Sequence, residues 1–473
     1  MKMFLQGQWV ERNQCAEVVN PYNGDSIDVV PVGTAADITT ALDGLVEGAK
    51  VMREKPTHQR VEILRKAARL IQDHQEELGR LISTEEGKVL AEGRLEAGRA
   101  AETFDLSADE ARNLHGETIP LDSTPGGVGK LGFTLRVPCG IVAAITPFNF
   151  PLNLVAHKVG PAIAGGNAVL IKPASDTPLS ALKLVELLLE AGLPAQAIAC
   201  VTGPGSELGA AICADKRVRK ISFTGSAEVG ESITRAAGLK RITMELGSNS
   251  PVIVLDDADL DKVASTLAMT GYANAGQVCI SSQRVIATPG CHDGLTDALL
   301  AKVSKLNAGD QLAKGTDVGP LVRESDAKRV EEWLGEATGQ GAQLLCGGTR
   351  EGALIQPALL TDVGSDMKMS CAELFGPALG ITRAGDIDEA IILANQTRFG
   401  LSAAIFTQDI DQAMRFAREV DSGNLHINFG TAWRTEIMPY GGLKDSGFGK
   451  EGPKYAIEEM TETKMVVIHG KSP

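Results

Sequence analysis

From residue 133 onward the chain repeats one unit, a short apolar run, a turn, and a longer segment with helical spacing. Val137 to Ile145 leads into a helix from Leu152, Asn167 to Ile171 precedes one from Pro178, Ala197 to Val201 precedes one near Ser206, and Lys220 to Phe223 precedes one near Ala227. Strand, turn and helix in this order predict a largely parallel sheet. A second series starts at Val252 to Leu255, runs through a helix at Leu260 to Tyr272, and resumes with Arg284 to Ala287, a helix from Asp293, and Ala378 to Ile381. Upstream, residues 57–114 read as two long amphipathic helices, with Ile63, Leu64, Ala67, Leu70 and Ile71 at helical spacing. With 473 residues, too many for one typical core, the expected fold class is α/β with two Rossmann-like parallel-sheet domains. In such sheets ligands bind beyond the carboxyl ends of the strands.

Composition excludes several alternatives. Hydrophobic residues at 43%, charged residues at 22% and 52 glycines suit a globular α/β chain with many tight turns. A net charge of -14 argues against a nucleic-acid or anionic-membrane partner, so any anionic ligand must meet locally placed basic groups. No segment reaches the roughly 18 apolar residues of a membrane span, and the first residues carry neither a signal-peptide nor a transit-peptide pattern. The eight cysteines lack paired spacing and the seven histidines lack ligand spacing, which points to reduced thiols in a cytoplasmic setting and to no metal.

One cysteine stands out by its surroundings. Tyr272-Ala-Asn-Ala-Gly-Gln-Val-Cys279 sets Cys279 behind small, backbone-accessible residues, and Met244-Glu-Leu-Gly247 offers a carboxylate, Glu245. A thiolate adds readily to a carbonyl, but a thiol with pKa ~8.5 is only a few per cent ionised at neutral pH, so the site must help it; Gly276 and the neighbouring amides are candidates. Taken alone, Cys279 reads more readily as a buried small hydrophobe than as a nucleophile.

The remaining motifs decide the matter by their order. Thr146-Pro-Phe-Asn-Phe-Pro151, Lys172-Pro-Ala-Ser175, Phe223-Thr-Gly-Ser226, Glu373-Leu-Phe-Gly-Pro377 and Pro439-Tyr-Gly-Gly-Leu-Lys444 follow one another around the cysteine and glutamate segments. The chain resembles the aldehyde dehydrogenase superfamily over nearly its whole length. That resemblance implies nicotinamide-dependent oxidation of an aldehyde to a carboxylic acid through a thioester on Cys279. It also implies an NAD(P)-binding domain at 1–115 and 135–247, a catalytic domain at 248–441, and a small β extension at 116–134 and 455–473 that joins subunits into a homodimer or homotetramer.

Gly225-Ser-Ala-Glu-Val-Gly230 follows a strand and opens a helix, so its amides and Ser226 suit a pyrophosphate, although a turn with no ligand has the same look. By resemblance the cofactor residues are Thr146, Pro147, Lys172, Ser175, Gly205, Phe223, Thr224, Gly225, Ser226, Val229, Leu246 and Gly247, with Glu373 and Phe375 on the nicotinamide side. Many NAD-preferring relatives carry a glutamate three positions after the lysine; here Ser175 stands there, and a serine does not repel a 2′-phosphate. NADP is therefore expected, with NAD beside it.

Role by role, the resemblance makes Cys279 the nucleophile and Asn149 with the Cys279 amide the oxyanion donors. Glu245 is then the base that activates water, and Lys158 lies near the proton path. The family commonly reads Glu-Leu-Gly-Gly, and Ser248 at the last position raises a question of local backbone freedom. Arg99, His157 and Arg434 suggest a small polar or anionic aldehyde, such as lactaldehyde or a semialdehyde, while each also has an ordinary reading as a surface charge, core histidine or loop charge. A CoA-acylating semialdehyde dehydrogenase would not need Glu245, and a non-enzymatic binding protein on this scaffold would not keep Cys279, Glu245 and Asn149.

Overall fold

The computed structural model describes residues 1–470; the last three residues of the expected 455–473 extension lie outside this range. Two sheets dominate. The larger has eight strands in the order Gln8–Val10, Met3–Leu5, Ile198–Cys200, Ala168–Lys172, Ile141–Ile145, Val218–Thr224, Arg241–Glu245 and Gly447–Phe448. Its five central strands are parallel, and its outer members pair antiparallel. The second sheet has seven strands, Gln343–Cys346, Ala358–Thr361, Ala378–Arg383, Arg284–Ala287, Pro251–Val254, Ser402–Phe406 and Asn424–Ile427, parallel except for the first pair. The α/β class with two parallel-sheet halves is thus present. A third, antiparallel sheet joins Thr461–His469, Lys130–Pro138 and Thr118–Ile119.

Apolar strands flanked by amphipathic helices explain both cores. Val142, Ala144, Val169 and Ile171 face Leu64, Ala97, Phe104 and Val155 on one side of the large sheet, and Ala143, Leu170 and Ile221 face Ile38, Leu42 and Leu208 on the other. Val252, Val285, Leu379 and Leu267 centre the second core.

Two boundaries differ from expectation. Residues 57–114 form three helices, Thr57–Asp73, Gln75–Glu86 and Leu90–Asn113. Gly87, at φ 103, ends the second in the left-handed conformation that glycine favours at a helix end. The apolar run expected over Val137 to Ile145 is divided, because Gly140 at φ 123 turns the chain from the small sheet into the large one. A helix at Ala35–Glu54 had no counterpart in the sequence reading.

Candidate active site

Four neighbouring parallel strands finish at or beside residues singled out from the sequence. Thr146 follows Ile141–Ile145, while Lys172, Thr224 and Glu245 end their own strands. The strand Ile141–Ile145 pairs with Ala168–Lys172 on one side and with Val218–Thr224 on the other, so the chain order reverses between Thr146 and Thr224. Such a reversal opens a crevice at the strand ends.

The crevice suits an anionic ligand. Ser226 caps helix Ala227–Ala236 with its hydroxyl 3.4 Å from the Val229 amide, at a helix N-terminus, where backbone N–H groups favour an anion. Gly225 has no room for a side chain, since a Cβ there would lie 2.5 Å from the Phe223 ring. Lys172 is buried, and its ammonium donates to the Pro173 carbonyl at 2.7 Å. Burial lowers it to about 8 against the opposing pull of Asp176, which itself pairs with Arg323. Gly205 opens helix Gly205–Ala214, where a Cβ would stand 3.7 Å from the Lys172 nitrogen. The Ser175 hydroxyl donates to the Gly203 carbonyl at 3.0 Å. Half-buried Pro147 follows Thr146, whose hydroxyl is buried with no partner among the described residues.

Glu373 and Phe375 approach from the second sheet. A Cβ on Gly247 would lie 2.2 Å from Glu373, so glycine is what allows the carboxylate in beside Leu246 and Gly247. Burial raises Glu373 to about 7, offset in part by the Ser248 amide, which donates to it at 3.0 Å. Ser248 itself has no left-handed strain; that falls on Ser250, at φ 24. The Phe375 ring meets Phe148 edge-on at 5.9 Å.

The Cys279 loop is strained and held from the other sheet's helices. Asn274, Ala275 and Gly276 are consecutive left-handed residues at φ 49, 52 and 71, a conformation that costs energy for the non-glycine pair. Asn274 donates through its backbone to Glu92 at 3.0 Å and through its side chain to Glu86 at 2.9 Å. Lys88, buried, bonds Glu96 at 2.7 Å and the Asn149 carbonyl at 2.6 Å, so one network grips both Asn149 and the cysteine loop. The Asn149 amide donates to the Gln277 carbonyl at 2.8 Å. The half-buried Cys279 thiol lies 3.2 Å from the Tyr440 hydroxyl, and burial pushes it up to about 12.

Beside it, both carboxylate oxygens of Glu245 are buried and have no partner among the described residues. Burial, and after it the charge on Glu451, raises Glu245 well above the usual carboxylate range. Glu451 goes the other way: burial is outweighed by Lys158, His157 and Arg434. Lys158, fully buried, donates to Glu451 at 2.6 Å and to Thr224 at 2.7 Å. Two carboxyls with opposite tendencies therefore stand at one site, the pattern of an acid and base pair.

Glu451, Glu245, Cys279, Arg99 and Arg434 line a cavity of about 170 Å³. Arg99 Nε donates to Glu436, and its two terminal nitrogens have no partner among the described residues. His157 stands behind the wall, against Glu436 and 3.0 Å from Arg434. Glu436 is held well below its ordinary range, because His157, Arg434 and Arg99 outweigh its burial. Sequence reasoning gave no role to Glu436, Glu451, Tyr440, Glu86, Glu92 or Lys88. Tyr440 lay inside a quoted motif and Glu436 sits two residues after Arg434, but nothing in the sequence marks the others as buried.

The model of the aldehyde dehydrogenase family matches residues 9–466. The 3-sulfolactaldehyde dehydrogenase of Priestia aryabhattai is 44% identical over 99% of this chain and 98% of its own length. The lactaldehyde dehydrogenase of Methanococcus aeolicus is 39% identical over 99% of this chain and all (100%) of its own. The crystal structure of the NADP-dependent glyceraldehyde-3-phosphate dehydrogenase from Bacillus halodurans C-125, complexed with NADP, superposes with a TM-score of 0.97 at 35% identity, covering 99% of each chain. The chain therefore belongs to the aldehyde dehydrogenase family and is an NAD(P)-dependent aldehyde-oxidising enzyme.

Proposed function

We propose that the chain oxidises a short polar aldehyde, a hydroxyaldehyde or semialdehyde carrying an anionic group, to the carboxylic acid. The observation that carries this reading is Arg99, which lines the Cys279 cavity and is tethered by Glu436 through Nε while its two terminal nitrogens have no partner among the described residues. A planar fork of free N–H groups suits a carboxylate or sulfonate. A cavity of about 170 Å³ suits few heavy atoms. The relative named for 3-sulfolactaldehyde fits that anionic class, and the one named for lactaldehyde shares only the short hydroxyaldehyde frame.

Cys279 adds to the aldehyde carbon, and the oxyanion takes the second N–H of Asn149, whose first is already spent on Gln277, together with the Cys279 amide. Once the thioester stands, Glu245 takes a proton from water, which attacks the thioester carbon and expels the thiolate; its buried oxygens, with no partner among the described residues, favour proton uptake. The crevice residues fit a dinucleotide: Ser226 and the amides opening its helix for the pyrophosphate, Lys172 and Ser175 for a 2′-phosphate, Glu373 for the ribose. That cofactor, when bound, supplies the hydride acceptor. The absence of a carboxylate at position 175 supports NADP as the preferred form, with NAD also used. The strand Thr461–His469, with Met465, Val467 and Ile468 exposed, supports pairing with a second copy of the chain.

The test is a panel of sulfolactaldehyde, lactaldehyde, succinate semialdehyde and propanal, assayed with wild type, Cys279→Ala, Glu245→Gln and Arg99→Gln. Turnover that needs Cys279, a burst without steady turnover in Glu245→Gln, and a KM raised more than about tenfold for the anionic aldehydes alone in Arg99→Gln are expected. Equal losses for propanal and the anionic aldehydes in Arg99→Gln refute the substrate class.

A further inference from the structure

The Tyr440 hydroxyl is the side-chain group that touches the Cys279 sulfur, at 3.2 Å, and it has no other partner among the described residues. Its ring is packed with Ile280 and Leu401, and the Arg434 guanidinium stacks over it at 3.9 Å from the centroid. We propose that Tyr440 is a catalytic residue: its O–H donates to the sulfur as the thiol gives up its proton to solvent water, and Arg434 on the ring face strengthens that donor. The proposal rests on the reading of Cys279 as the nucleophile.

The direction follows from the inventory of donors. A thiolate only accepts, and the phenol has no competing acceptor, so ionisation of the sulfur commits the O–H to it. A hydrogen bond to an ionised acceptor is about twice as strong as one between neutral groups, so the contact favours the thiolate over the thiol. A cation over the aromatic face draws electron density from the ring and makes the hydroxyl a better donor. The surrounding charges leave a place for this. Burial opposes ionisation most, Glu373 and Glu245 oppose it further, and Tyr440 and Arg434 act the other way. Burial raises the Tyr440 phenol well above its ordinary range, Cys279 and Glu245 raise it further, and Arg434 acts the other way.

Alkylation tests the proposal apart from turnover. In the reaction with iodoacetamide the sulfur's proton passes to buffer, the sulfur forms a bond to the methylene carbon, and iodide leaves. Its rate is followed against pH on the Cys279 peptide by mass spectrometry, because Cys15 and Cys371 are also exposed. In Tyr440→Phe the midpoint is expected to move upward, with the rate at neutral pH about tenfold lower and the melting temperature nearly unchanged. Replacing the four tyrosines by fluorotyrosine, a stronger acid, should move the midpoint down, which keeps the test alive if the phenylalanine variant folds poorly. Superimposable profiles for wild type and Tyr440→Phe, with Cys279→Ala inactive, overturn the role of Tyr440 alone. Turnover surviving in Cys279→Ala overturns both this proposal and the nucleophile on which it rests.

Discussion

Raising the pH from 7 to 9 should weaken NADP binding while leaving NAD nearly untouched, and Lys172 is the reason. Its ammonium is buried, touches one carbonyl, and titrates at about 8 because burial disfavours the charge. The sign follows directly. A lysine depressed to this value is protonated below it and neutral above it, and only the protonated form attracts the 2′-phosphate, which is a dianion throughout this range. Such a group is about 90% protonated at pH 7 and about 10% at pH 9, so the NADP dissociation constant should rise about tenfold across that interval. Bound phosphate raises the lysine in return, so NADP binding should take up about three quarters of a proton near pH 8.5 and almost none near pH 7. Titration calorimetry in two buffers of different ionisation enthalpy measures both quantities, with NAD as the internal reference and Lys172→Met as the control. Equal pH dependence for the two dinucleotides, or an unchanged NADP profile in Lys172→Met, would refute the assignment.

Two further perturbations probe how the site is held. Gly276→Ala places a Cβ about 2.1 Å from the Gly376 carbonyl at φ 71, so urea unfolding should show a loss of at least about 2 kcal/mol together with lost activity; an unchanged midpoint would contradict the strained loop. Glu436→Gln leaves Arg99, His157 and Arg434 without their shared anion, and the loss expected for breaking a buried pair is about 3–5 kcal/mol. A melting temperature equal to wild type would show that the cluster contributes nothing to the fold.

Where local signals agree, the sequence was enough. Helix Leu260–Tyr272 begins after Asp259, whose side chain accepts from the Lys262 amide, and it carries Val263, Leu267 and Ala264 to the core, so both its cap and its period were visible. Strand Arg284–Ala287 was equally plain as a short apolar run. The residues 57–114 were misjudged because helical spacing ran on across the breaks. The signal that divides them is Gly87 itself, directly after Glu86 and in the left-handed conformation. Glu86, Lys88 and Glu96 are buried, although charged residues at helical spacing ordinarily face water, and periodicity cannot say which neighbour will cover a given face.

The same distinction governs the site. Strand ends bring Thr146, Lys172, Thr224 and Glu245 into one crevice through a topology that the strand and helix order already implies. Their chemical state depends on partners that no local window contains. Asn274 is held by Glu86, 188 residues away, and Lys158 by Glu451, 293 residues away. An unpartnered buried carboxylate such as Glu245 is costly to the fold, so it persists only where the surrounding scaffold is rigid enough to leave it no closer partner. The close approach of glycines here serves that end. A side chain at Gly441 would put a Cβ about 2.9 Å from the Glu245 carboxylate, and one at Gly247 would strike Glu373. Motif spacing therefore identifies which residues meet, while their reactivity is set by long-range contacts that keep some of them paired and leave Glu245 without a partner among the described residues.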